Sequence, residues 1–150
     1  MGKIEEAIKQ SQFKDEYNKA VVNLLYTHSY LVGFQTAVLK PQDLSPEQYN
    51  VLRILRGQQG KPVTIAAIQE RMLNTMSNAS RLVDKLKAKE LVMRNECPEN
   101  RRKVDVLITE KGLRVLELLE PKMEAANKNV IHLEEGELVA LNGLLDKLRG

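Results

Sequence analysis

The chain is expected to be mainly α-helical with one small β-hairpin, an α+β fold, on three observations. Apolar residues recur at steps of three and four near both ends: Phe13, Tyr17, Val21, Leu24, Leu25, Leu31 and Val32, then Leu138, Leu141, Leu144, Leu145 and Leu148. Two short helical patterns, separated by a brief polar turn, occupy the middle. Leu91-Val92-Met93-Arg94 and the alternating Val104, Val106 and Ile108 read as two strands joined by a basic loop. Helix, turn, helix, strand, Arg-rich tip, strand is the order of a winged helix-turn-helix, here flanked by long helices on both sides.

The bulk numbers fit that fold. At 150 residues there is room for one domain with an appended element for self-association. Aromatic residues make up only 4% with no Trp, so the core must be aliphatic. No apolar run approaches the length of a membrane span, and Met1-Gly2-Lys3-Ile4-Glu5-Glu6 lacks the apolar region of a signal peptide. A single cysteine excludes an intrachain disulfide framework. The expected location is cytoplasmic, with no membrane partner.

Net charge is only +3, but its distribution is uneven. Arg71 to Lys103 holds nine basic and four acidic residues, whereas the rest of the chain holds fourteen and sixteen. Basic charge gathered into one segment is the electrostatic footprint of phosphate binding.

Each element has local support. The first helix is expected from the N-terminal region to about Leu39, where Lys40-Pro41 stops it. Ser45-Pro46-Glu47-Gln48 has the form of a capping box with proline at the first helical position, and Leu44 and Tyr49 are spaced for a hydrophobic staple. That helix carries Val51, Leu52, Ile54 and Leu55 and ends near Gly57. Thr64 is the expected cap of the next helix, with Ile65, Ile68 and Met72 inward. Leu73-Asn74-Thr75 is read as a three-residue turn, with Thr75 capping a helix whose buried arc is Met76, Ala79, Leu82, Val83 and Leu86. Asn95 to Arg102, containing Pro98, forms the connecting wing. Thr109 caps a helix to about Val130 in which Pro121 should bend or break the pattern. The last helix starts on Glu134, a poor cap, with Gly136 close behind.

On this layout Ser77, Asn78 and Arg81 fall in the leading turns of the second helix, where a groove-inserted helix meets base edges. Arg can donate two hydrogen bonds to guanine, Asn can pair with adenine, and Ser can serve several bases. Thr64, Thr75 and Lys85 are placed for phosphates, which fix register without reading sequence. Arg101, Arg102 and Lys103 at the wing tip suit a narrow, A·T-rich minor groove. Double-stranded DNA is therefore the expected partner.

Val63-Thr64 opening a helix, Arg81-Leu82-Val83-Asp84-Lys85-Leu86, Leu91-Val92, Asn100-Arg101-Arg102 and Ile108-Thr109-Glu110-Lys111-Gly112 together resemble the MarR (multiple-antibiotic-resistance regulator) family. The resemblance spans almost the whole chain. It implies a triangular homodimer in which residues 1–44 and 110–150 interlock across a two-fold axis and residues 45–109 bind DNA. It further implies a palindromic operator, repression by occlusion, and release by a small aromatic or phenolic effector. Two positions depart from the family pattern. Asn100 stands where the family usually has Asp, and Glu90 where it commonly has Gly, which would place a non-glycine residue in a left-handed helix end.

Other chemistry finds less support. His28 and His132 are far apart, with no His/Cys/Asp cluster at ligand spacing, so no metal or cofactor is expected. Cys97 in the wing reads as a bystander rather than a redox sensor. No nucleophile, base and oxyanion arrangement can be assembled, so an enzyme is not expected. Tyr26, Tyr30 and Phe34 could line an effector pocket or simply form dimer core. The alternatives from other classes are a winged-helix protein-interaction module without DNA binding and a metal-responsive regulator of the same fold.

Overall fold

Three hydroxyl residues near helix starts set the frame of the fold. In the computed structural model, which describes residues 2–150 apart from the side chains of Cys97, Arg101 and Arg102, Ser45, Thr64 and Thr109 each accept a hydrogen bond from the backbone N–H three residues on. The elements are α1 (Ile4–Ala7), α2 (Glu16–Leu39), α3 (Pro46–Gly57), β1 (Val63–Thr64), α4 (Ile65–Arg71), α5 (Ala79–Ala88), β2 (Val92–Cys97), β3 (Asn100–Ile108), α6 (Glu110–Val130) and α7 (Glu135–Arg149). Ser45 and Gln48 close the expected capping box, and Leu44 and Tyr49 are both buried beside it.

The sheet is antiparallel in the order β1-β3-β2. Val63 pairs with Val106, and the hairpin runs from Val92 opposite Ile108 to Glu96 opposite Val104, with an irregularity before Cys97 opposite Asn100. The expected wing from Asn95 to Arg102 is therefore mostly strand, turning at Pro98-Glu99. β1 was not anticipated. Its two residues carry no pattern of their own and exist because β3 offers an edge.

One core holds α3, α4, α5, the hairpin and α6 together. Leu52 and Leu55 of α3, Ile68 of α4, Val83 and Leu86 of α5, Val92 and Val106 of the hairpin, and Leu116 and Leu119 of α6 are all buried in it. Pro121 does not interrupt α6, which runs as one helix to Val130.

Four expectations need correction at the ends of elements. The first helix is two helices. Asp15 accepts from Asn18 N–H at 2.8 Å, which starts α2 at Glu16 and leaves α1 as a separate turn tied back by the Glu5–Lys19 ion pair at 2.5 Å. The turn between α4 and α5 runs from Met72 to Asn78 rather than three residues, and Asn78, not Thr75, caps α5. Met76 consequently lies outside the helix and is 90% exposed instead of buried. At α7, the Glu137 carboxylate accepts from Glu134 N–H at 2.8 Å, so this start is better satisfied than Glu134 alone would allow.

Glu90 does adopt the left-handed conformation, at φ 62°, as Leu91 N–H reaches back to Leu86 O at 3.0 Å to close α5. Thr109 then locks the junction. Its N–H donates to Leu91 O at 3.0 Å and its hydroxyl donates to Glu90 O at 2.8 Å. Gly112 sits against the same carbonyl: a Cβ there would overlap Leu91 O and come within 2.7 Å of Ile108 Cγ1.

Substitutions at this junction should therefore act in opposite directions. Gly112→Ala forces backbone to move and should cost about 1–3 kcal/mol, as overpacking does. Glu90→Gly relieves left-handed strain and should gain up to about 1 kcal/mol after the added freedom of the unfolded chain is counted. Urea unfolding of the two variants checks both signs.

A second check concerns acid stability. The Arg56 guanidinium beside Glu120 holds that carboxyl below its ordinary value, linking α3 to α6. A lowered folded-state pKa gives stability that is present above the ordinary carboxylate value and is lost as pH falls through the folded one. Both side chains are about one-third exposed, so the effect is screened. Glu120→Gln should lower Tm by at most about 3 °C at pH 7, and melting curves should draw together with those of the parent as pH falls through the lowered value of the Glu120 carboxyl.

Candidate DNA-reading surface

The start of α5 is aimed by a side chain that sequence reasoning passed over. Gln69 of α4 donates from Nε2 to Ser77 O at 2.8 Å and accepts at Oε1 from Ala79 N–H at 2.9 Å. One amide thus grips both sides of the helix entry. Asn50 of α3 steadies the approach by accepting from Leu73 N–H at 2.9 Å, and Asn74 does so by accepting from Met76 N–H at 3.0 Å. A Gln ten residues before the helix start carries no local signature, because its partners are defined only by the fold.

Asn78 then caps α5 through Oδ1, which accepts from Arg81 N–H at 3.1 Å. That oxygen has one lone pair left, and the position of Asn78 is fixed by its role as cap. Ser77 precedes the helix, and its hydroxyl oxygen is buried without a hydrogen-bond partner among the described residues. Ser77 is therefore not presented to a groove, contrary to expectation. The later helix start explains the difference: with the cap at position 78 rather than 75, Ser77 lies before the helix and is not part of its outward face.

The outward face of α5 is Ser80, Arg81, Asp84 and Lys85, all exposed, while Ala79, Val83 and Leu86 face the core. Ser80 takes the place assigned to Ser77 and was missed for that reason. Arg81 and Lys85 stand where expected. Thr75 is exposed on the loop before α5, and the Thr64 hydroxyl is occupied at the start of α4. Lys103 is exposed on β3. The side chains of Arg101 and Arg102, assigned to the wing tip, lie outside the described residues, as does that of Cys97.

The aromatic residues of α2 divide. Tyr26 and Tyr30 line a cavity of about 610 Å³ together with Ile4, Leu31, His132 and Leu141. Phe34 is not part of it. Its ring meets Tyr30 edge-on, with centroids 4.8 Å apart, along a shallow groove farther down α2. Among the described residues no group of three or more His, Cys, Asp or Glu is placed to hold a metal ion, and no helix is long and apolar enough to cross a membrane.

Comparison with known proteins follows this geometry closely. The MarR family profile matches residues 44–104, the segment from the start of α3 to the middle of β3. A MarR transcription factor from Planctomyces limnophilus is 30% identical, the alignment covering 90% of this chain and 98% of that one with a TM-score of 0.69. The chain belongs to the MarR family. Its fold is shared along nearly the whole length of other solved structures. BpsR of Bordetella bronchiseptica, studied for regulation of its DNA binding by 6-hydroxynicotinic acid, is 25% identical over 87% of this chain and 99% of its own, with a TM-score of 0.75. A mutant MarR from E. coli complexed with operator DNA is 20% identical over 92% and 99%, with a TM-score of 0.78, which bears on the fold alone. Among curated proteins, none matches the sequence. MarR-family proteins are transcription regulators, and the winged helix of this chain is built as in that family.

Proposed function

We propose that this MarR-family chain is a sequence-preferring DNA-binding regulator, acting as a homodimeric repressor on a palindromic operator. The observation that carries the proposal is the division of α5, with Ser80, Arg81 and Lys85 outward and Val83 and Leu86 inward, beside a hairpin whose second strand opens with Arg101, Arg102 and Lys103 just past its tip. On this reading α5 enters the major groove, Arg81 and Ser80 read base edges, and Thr75 and Lys85 touch phosphate. Arg101, Arg102 and Lys103 reach the neighbouring minor groove.

The dimer is inferred from what the single chain leaves uncovered. Tyr17, Val21 and Leu25 of α2 are 85%, 57% and 65% exposed, and α7 buries no side chain while exposing Val139, Leu144 and Leu148. Apolar stripes on two helices, one near each end of the chain, fit association of residues 1–44 and 110–150 with a second copy. Two copies would hold their α5 helices about 34–36 Å apart, one turn of duplex. A small aromatic effector fits the cavity beside Tyr26 and Tyr30, and it acts by preferring the dimer geometry that DNA does not.

Arg81→Ala should cost roughly 1–3 kcal/mol on the operator and much less on random DNA. Arg102→Ala should weaken binding to both and make the salt dependence shallower by about one phosphate. Titrations of both DNAs at several salt concentrations test this, and equal losses for Arg81→Ala would make it a phosphate contact. Complete absence of DNA binding by the intact protein would favour the protein-interaction reading instead. Leu25→Glu should give a folded monomer by analytical ultracentrifugation with unchanged far-UV circular dichroism. A persisting dimer would exclude α2 from the interface.

A further inference from the structure

The DNA-facing side of α5 carries one carboxylate, and by charge alone it is in the wrong place. Asp84 follows Ser80 and Arg81 by one turn and lies next to Lys85, where the phosphate backbone would repel it. Its partner is Arg94 of β2, whose Nη1 donates to Asp84 Oδ1. The Arg94 side chain is only 24% exposed against 58% for Asp84, so the guanidinium lies along the protein rather than out in solvent. Arg94 stands opposite Val106 in the hairpin register and, two residues on from Val92, shares the hairpin face that packs on the core. The pair therefore spans from the middle of β2 to the outward side of the reading helix. It neutralises an acid and also withdraws a cation that could otherwise reach phosphate. Two charges committed in this way lower electrostatic affinity unless the geometry they fix returns more.

Taking the DNA-binding reading above as given, we infer that Asp84 and Arg94 are positioning residues that set the angle between α5 and the hairpin, so that helix and wing tip meet adjacent grooves together. The two explanations of Asp84 predict opposite signs. As a surface acid, its removal tightens DNA binding by lifting repulsion. As an anchor, its removal weakens binding by freeing the hairpin.

The test uses the full chain with Asp84→Asn and Asp84→Glu, each checked for fold by circular dichroism. Hydrogen exchange of the free protein comes first. Asp84→Asn should raise exchange of amides 94–106 several-fold and leave α6 unchanged. Operator binding is then measured across salt concentrations, alone and with Arg102→Ala. Asp84→Asn should weaken binding by about 5–30-fold, with a shallower salt slope and little further loss once Arg102 is gone, because both changes act through the wing. Asp84→Glu, which keeps the carboxylate, should retain most of the affinity. Tighter binding, unchanged exchange in the hairpin, or losses that simply add to those of Arg102→Ala would overturn the inference. If the parent protein bound no DNA, the functional reading would fall, while hairpin exchange would still decide whether Asp84 anchors the wing.

Discussion

The reading helix, the hairpin and the long helix α6 meet at the carbonyl of Leu91, and the rest of the structure depends on how closely they meet there. That oxygen accepts from Thr109 N–H at 3.0 Å, and Gly112 packs against it without room for a methyl group. Glu90, immediately before, is forced left-handed to turn the chain from α5 into β2, and its own carbonyl takes the Thr109 hydroxyl at 2.8 Å. Lys111 adds a bond to Lys89 O at 3.1 Å. Four consecutive residues, Thr109 to Gly112, thereby fix where α5 ends, where the hairpin begins and in which direction α6 leaves. This accounts physically for a Thr-Glu-Lys-Gly sequence following the hairpin: each of its residues except Glu110 has an assigned partner at the junction.

What could be read from the sequence were the features whose hydrogen bonds close over three residues. Ser45, Thr64 and Thr109 are hydroxyl caps with their partners three positions away, and a linear pattern contains everything needed to recognise them. The same logic failed at α5 because two polar residues, Thr75 and Asn78, could each serve as cap. Gln69, reaching from α4 to Ser77 O and Ala79 N–H, favours the later one. With the cap three residues later, Ser77 lies before the helix with its hydroxyl buried and Ser80 stands on the exposed face, although the helix itself was found. β1 was unreadable for a related reason, since Val63 and Thr64 are strand only through Val106 and Asp105 far along the chain. The hairpin was under-extended because Asn95 and Glu96 are polar residues that propensity assigns to loop, whereas pairing with Asp105 and Val104 makes them strand.

Charge and apolar surface are segregated along this molecule, and the two kinds of exposure answer different demands. The basic excess lies from Arg71 to Lys103, on the outward part of α5 and the hairpin. The uncovered apolar side chains lie mostly on α2 and α7. A solvated surface tolerates the first indefinitely. The second costs free energy in proportion to its area, roughly 25 cal/mol per Å², until something covers it. In a chain that otherwise buries Leu39, Leu52, Leu55, Ile68, Leu116 and Leu119 almost completely, the exposure of Tyr17 and Leu25 is not a general looseness of packing. It is concentrated on α2 and α7, although Leu73 and Met76 in the loop before α5 are exposed as well.

That segregation also decides how an effector could act. The cavity beside Tyr26 and Tyr30 is bounded by α1, α2 and the connection from α6 to α7, and none of its lining residues belongs to α5 or the hairpin. A ligand there does not touch Arg81 or Lys85. In the proposed dimer it would act by shifting the placement of one α5 relative to the other, which requires that it bind the two placements with different affinity. The rigid junction at Leu91 makes such a shift effective. Because α5, the hairpin and the start of α6 are held by shared hydrogen bonds, a displacement of α6 carries the reading helix with it instead of being absorbed at the hinge.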